Sequence, residues 1–191
     1  STWDEFVEYH LSGHILTIET PFPDISVKIN EKPFATDVSG TIRVFVLPNS
    51  YTINITTPIS TGPSSRESFA RWSDLDRSNP RILLVNAAVT LKAEYETQYY
   101  VTISQSGSAA TVNASIDMVT VDLNHSFWWT KGSLHNVSVA PTVSGSSDYR
   151  YKFTQWNDAT TNSLKTITVT GSATYTAYYK TQCKVTFSQS C

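Results

Sequence analysis

FARWSDLDRSNPRILLVNAAVTLKAEYETQYYVTISQS, residues 69–106, recurs as FTQWNDATTNSLKTITVTGSATYTAYYKTQCKVTFSQS at residues 153–190. The two stretches align without a gap at an offset of 84, and 14 of 38 positions are identical. Ordinary residue usage would give about two or three identities. The shared positions include Phe69/Phe153, Trp72/Trp156, Asp74/Asp158, Ala93/Ala177, Tyr95/Tyr179 and Gln98/Gln182. The chain is therefore an internal repeat.

Upstream the match is weaker but continues. LTIET (16–20) corresponds to VTISQ (101–105), SVKIN (26–30) to TVNAS (111–115), and SYTINI (50–55) to LHNVSV (134–139). Each unit is thus ~85 residues of short alternating runs divided by Gly, Pro, Asn and Ser turns, the pattern of a sandwich of about seven strands. The fold class expected is all-β: two tandem Ig-like β-sandwich domains, 16–100 and 101–191, preceded by an extended strand, 1–15. No Gly/Ser tether divides the units, because TLKAEYETQYYVTIS runs from the last strand of one into the first of the next. That predicts a stiff, elongated rod.

Composition agrees with an all-β class. Charged residues make up 16 % and net charge is −2, and β-branched and aromatic residues dominate the alternating runs. No Lys/Arg cluster points to nucleic acid. No apolar run reaches the ~18–20 residues of a membrane span. The sequence suits a mature secreted chain that has lost its signal peptide.

The first 15 residues pose a separate question. Read in steps of two, Trp3, Val7, Tyr9, Leu11 and Ile15 share one side, and Asp4, Glu8, His10, Ser12 and His14 the other. This is a one-faced strand upstream of the first repeat. Burying those five apolar residues is worth roughly 8–15 kcal/mol in gross terms. Either the arm folds back on its own unit, or it adds to the sheet of a neighbouring molecule by donor-strand complementation. Repeated head-to-tail, the second arrangement grows an open filament.

Trp72 and Trp156 are expected as core anchors beneath a turn held by Asp74 or Asp158. Trp128–Trp129 has no counterpart in the first unit, which makes it the candidate for an exposed, carbohydrate-stacking contact, with one of the two rings pointing inward. No GxSxG, HExxH, CxxC or Gly-rich phosphate loop occurs. His10 and His14 would lie ~13 Å apart along a strand, too far to share a metal. His125 and His135 have no acid positioned by sequence. The expectation is a non-enzyme without metal or cofactor.

Four sequons, at Asn54, Asn113, Asn124 and Asn136, are candidates for N-linked glycan. The two cysteines, Cys183 and Cys191, would stand ~26 Å apart on a straight strand. Either the chain folds back between them to form a disulfide, or they pair elsewhere.

In its arm, paired sandwich units, sequons and low charge, the chain resembles the subunit of the thread filaments on thermoacidophilic archaea. Its F-x-x-W-x-D and A-x-Y-x-T-Q patterns are similar to β modules of archaeal surface and thermopsin-type secreted proteins. The resemblance implies an extracellular, glycosylated homopolymer joined by donor-strand exchange, with a role in adhesion or biofilm. It carries over no catalytic residue. The alternative is a monomeric carbohydrate- or surface-binding β module of a secreted protein; a third reading is an accessory piece of a secreted enzyme.

Overall fold

The computed structural model describes residues 12–189. Every regular element is a strand: β1 (His14–Glu19), β2 (Ser26–Ile29), β3 (Lys32–Ala35), β4 (Thr41–Val46), β5 (Asn49–Ile55), β6 (Ile59–Gly62), β7 (Ser65–Trp72), β8 (Arg81–Val85) and β9 (Val89–Ser106). The second repeat supplies β10 (Asn113–Ile116), β11 (Val119–Asp122), β12 (His125–Thr130), β13 (Leu134–Val139), β14 (Thr142–Ser144), β15 (Tyr149–Trp156), β16 (Leu164–Thr168) and β17 (Ala173–Cys183).

The chain divides into two compact units. Unit 1 comprises residues 12–59 and 67–96; unit 2 comprises 60–66 and 97–189. The division therefore falls inside β9, and residues 60–66, from the first repeat's sequence, belong to unit 2. In unit 1 one sheet has the order β3-β2-β5-β8, and the other contains β4-β1-β9 with β7 also on β9. In unit 2 the first sheet is β11-β10-β13-β16, and the second contains β14-β15-β17-β9 with β12 also on β9.

The same pairing logic is used twice. The first and last strands of each unit lie parallel: Leu16 opposite Val89 and Ile18 opposite Leu91 in unit 1, Val101 opposite Ala173 and Ile103 opposite Tyr175 in unit 2. Alternation sends Leu16, Ile18, Val101 and Ile103 inward, each at most 1 % exposed. Across the first core they meet Val27, Ile53, Ile55 and Trp72; across the second, Val112, Val137, Val139 and Trp156. Each such aliphatic side chain contributes ~1.5–3 kcal/mol of burial.

The β2–β3 and β10–β11 hairpins turn through two residues at positive φ, Asn30–Glu31 and Asp117–Met118. That is the two-residue turn whose twist matches the flanking strands. In each, the first residue's Oδ1 accepts a backbone N–H from the adjacent strand, at Thr52 or Asn136, both 2.8 Å.

Of the arm residues read from sequence, Trp3, Val7, Tyr9 and Leu11 lie outside the described residues. Ile15 belongs to β1, opposite Phe45 of β4, and is 43 % exposed. The core face of this strand starts with Leu16, one residue out of phase with the arm's apolar side. Alternation assigns Ile15 and Leu16 to opposite faces, and burial selects Leu16.

Candidate functional site

The two Trp-Asp turns share one architecture. Trp72 and Trp156 are fully buried. Their indole Nε1 groups donate to the carbonyls of Ser78 (3.0 Å) and Asn162 (2.9 Å), which satisfies the one polar atom of each ring. Phe69 and Phe153 pack against them with ring centroids 5.2 and 5.8 Å away. The turn residues Leu75 and Ala159 adopt positive φ and donate back to the tryptophan carbonyls, both at 2.9 Å.

A cation closes each turn. Arg81, 8 % exposed, donates from Nη1 and Nη2 to the two oxygens of Asp74, both at 2.9 Å, and its Nε faces Asp76 Oδ2 at 3.6 Å. Those hydrogen bonds from Arg81 hold the Asp74 carboxyl below the usual carboxylate range. In unit 2 the same place holds Lys165, bonded to Asp158. Lys165 first, then the Thr160 hydroxyl, lowers the Asp158 pKa to about 2. A tyrosine pins the closing strand in each unit. Tyr95 Oη donates to the Thr56 carbonyl (2.9 Å) and Tyr179 Oη to that of Ala140 (2.6 Å). Burial pushes both phenols up, Tyr179 to about 12.

The tandem tryptophans separate as alternation requires. Trp129 is 7 % exposed and enters the core. Trp128 points outward, but its ring is occupied: the Arg66 guanidinium lies 4.4 Å from its centroid and Tyr100 packs at 5.1 Å. Arg66 Nε in turn donates to Gln98 Oε1 at 2.8 Å. A sugar would have to displace this cation–π contact, worth ~0.5–2 kcal/mol.

Folding assembles a group that the sequence did not announce. His135 Nδ1 lies 2.6 Å from Asp117 Oδ2, and Nε2 lies 2.8 Å from Ser133 Oγ. The hydrogen bond from His135 is the main cause of a lowered Asp117 pKa. The order resembles a nucleophilic triad, but the surroundings do not serve one. Ser133 Oγ donates to the Thr130 carbonyl at 2.6 Å. The backbone N–H groups of Gly132 and Ser133 are committed to the carbonyls of Val169 and Thr130, so neither is left to hold an oxyanion. The His135 ring stacks on Trp129 at 3.8 Å and 9°. The group ties the β10–β11 turn to the core. The two-residue turn at Asp117 brings residues 18 apart into contact.

Among the described residues no cluster of His, Cys, Asp and Glu could hold a metal ion. Asn113, Asn124 and Asn136 are exposed and Asn54 is half-buried. Asn124 sits at φ 70°, and Asn136 Oδ1 accepts from Thr166. Cys183 is exposed at the end of β17; Cys191 lies outside the described residues.

No family model matches the chain, and no curated protein does. Among solved structures, the Bacillus anthracis TIE protein is similar over 88 % of this chain and 34 % of its own, at 11 % identity and TM-score 0.32. The chain thus spans about a third of that protein's length. Domains 3–4 of the Streptococcal High Identity Repeats in Tandem, from a cell surface protein, match over 90 % of this chain and 99 % of theirs, at 9 % identity and TM-score 0.26. The major pilin (T-13) of Streptococcus pyogenes matches over 88 % and 96 %, at 10 % identity and TM-score 0.24. All three are bacterial; none is described as an archaeal thread subunit or a thermopsin-type protein. Likenesses this distant assign no role.

Proposed function

We propose that the chain is a structural subunit of an extracellular filament, glycosylated and adhesive in role, which polymerises head-to-tail by lending its N-terminal strand to a neighbour. One observation carries this reading. From His14 onward the first repeat has a counterpart for every strand of the second. Residues 1–11 lie upstream of every strand the repeat needs, and in this reading Trp3, Val7, Tyr9 and Leu11 are the side chains lent to another copy. Ile15 is already committed to β1, so the donor segment ends before it.

Deleting residues 1–11 should leave both units folded and abolish fibres in electron micrographs of concentrated protein. Fibres that persist in the truncated protein would overturn the reading. Glycan belongs on the exposed sequons Asn113, Asn124 and Asn136 before Asn54, which intact mass before and after deglycosylation would read. Thiol counting under denaturing, non-reducing conditions would read whether Cys183 and Cys191 are paired at all, and peptide mapping whether the partner of each lies within the chain or elsewhere.

A further inference from the structure

The end of the described chain repeats the strand that opens unit 2. Residues 185–189, VTFSQ, match VTISQ at 101–105 in four of five positions. In β9, Val101 and Ile103 are 1 % and 0 % exposed. Their counterparts Val185 and Phe187 are 70 % and 93 % exposed. Two side chains of core type, at core spacing, stand in solvent. Leaving both exposed forfeits ~3–6 kcal/mol of burial.

The ground from which this stretch departs is also a copy. Within unit 2, the Ser64 carbonyl accepts from Tyr100 N at 3.0 Å. One repeat later, the Asp148 carbonyl accepts from Lys184 N at 2.7 Å. Arg66 donates to Gln98 at 2.8 Å; Arg150 donates to Gln182 at 3.0 Å. At the first position the pattern is engaged: Arg66 carries Trp128, and the Ser64 carbonyl also accepts from Ser172 Oγ at 2.6 Å. At the second it opens on a groove of about 720 Å³ lined by Ser146, Arg150, Gln182 and Lys184 among others.

We propose that residues 184–189 are the opening strand of a third sandwich unit, continuing in the same polypeptide, and that the groove at Arg150 is its seat. The expected partner is a sandwich of this repeat that offers an aromatic side chain to the Arg150 guanidinium and a hydroxyl to the Asp148 carbonyl. A second copy of the described units fits less well. Both its units already have their first strands, β1 and β9, in place, and unit 1 has no counterpart of Trp128–Trp129.

The inference does not rest on the filament reading, and its test leaves residues 1–11 intact. Peptide mapping of the protein from its native source should find sequence beyond Cys191, with a third F-x-x-W-x-D about one repeat after Phe153. In that native protein trypsin should cut the Lys184–Val185 bond at least tenfold more slowly than in a chain ending at Cys191. A native polypeptide that stops at Cys191, or equal cleavage rates in the two forms, would overturn the proposal.

Discussion

Arg81 meets Asp74 through two hydrogen bonds of 2.9 Å, one to each carboxylate oxygen, while Lys165 takes the same place opposite Asp158 one repeat later. The turn thus accepts either cation, provided one is present. Arg81→Ala strands a half-exposed carboxylate and is expected to cost ~1.5–3 kcal/mol in urea unfolding. Arg81→Lys should cost less than about half of that, since unit 2 already closes its turn with lysine. Equal losses for the two variants would show that the planar fork, and not the charge, is what the turn requires.

The same carboxylates set an acid limit. Asp158 has a folded pKa of about 2, below the ~3.9 of an unfolded aspartate. Its contribution is complete above the unfolded value and is lost as pH falls through the folded one. Asp74, lowered by Arg81, works in the same direction. Tm should be nearly level from pH 7 to 5 and fall between about pH 4 and 2. Asp158→Asn should have a lower Tm at pH 6 and a shallower acid slope, which scanning calorimetry across that range would measure. Collapse already at pH 4 or above would contradict this account of the two carboxylates.

Two glycines at nearly the same φ should respond differently to alanine. At Gly132 (φ +81°) nothing stands within 4 Å of an added Cβ. Gly132→Ala should therefore cost only the ~1–2 kcal/mol of left-handed backbone. At Gly107 (φ +83°) the Cβ would lie 2.1 Å from the Tyr179 carbonyl oxygen, which cannot retreat without disturbing β17. Gly107→Ala should lower Tm at least twice as far as Gly132→Ala.

Replacing either buried indole separates packing from hydrogen bonding. Trp72→Ala or Trp156→Ala should cost ~3–5 kcal/mol. Trp156→Phe keeps much of the volume but leaves the Asn162 carbonyl without its donor, and ~1–3 kcal/mol is expected. Chemical denaturation of the paired variants would show whether the two turns are energetically alike.

Much of this was legible because it was written twice. A repeated Trp three residues after a Phe has few uses other than a core, and both rings are there. The parallel partnership of first and last strands was not legible, because periodicity reports which face is buried and not which strand lies alongside. Ile15 shows the limit of alternation: in sequence it keeps step with Trp3, Val7, Tyr9 and Leu11, whereas the buried face of β1 is set by Leu16 and Ile18. The Ser133–His135–Asp117 group and the Arg66–Trp128 stack depend on turns that bring distant residues together, so neither leaves a spacing in the chain. The placement of residues 60–66 in unit 2 was hidden for a related reason, since their sequence belongs to the first repeat.

Val89 and Leu91 reach the flank of β1 about seventy residues after Leu16 and Ile18 have been made. A chain emerging from the ribosome can close the β2–β3 hairpin and pair β1 with β4 and β2 with β5 early, but one flank of β1 stays open until β9 has cleared the exit tunnel. Long-range parallel pairing of this kind is slow and leaves strand edges uncovered meanwhile. Nascent chains arrested before residue 89 should therefore be protease-sensitive throughout, and those arrested far enough downstream for β9 to have left the tunnel should be the first to show a resistant core. Resistance appearing before β9 emerges would mean that β1 and its antiparallel partner β4 already hold the sheet without it.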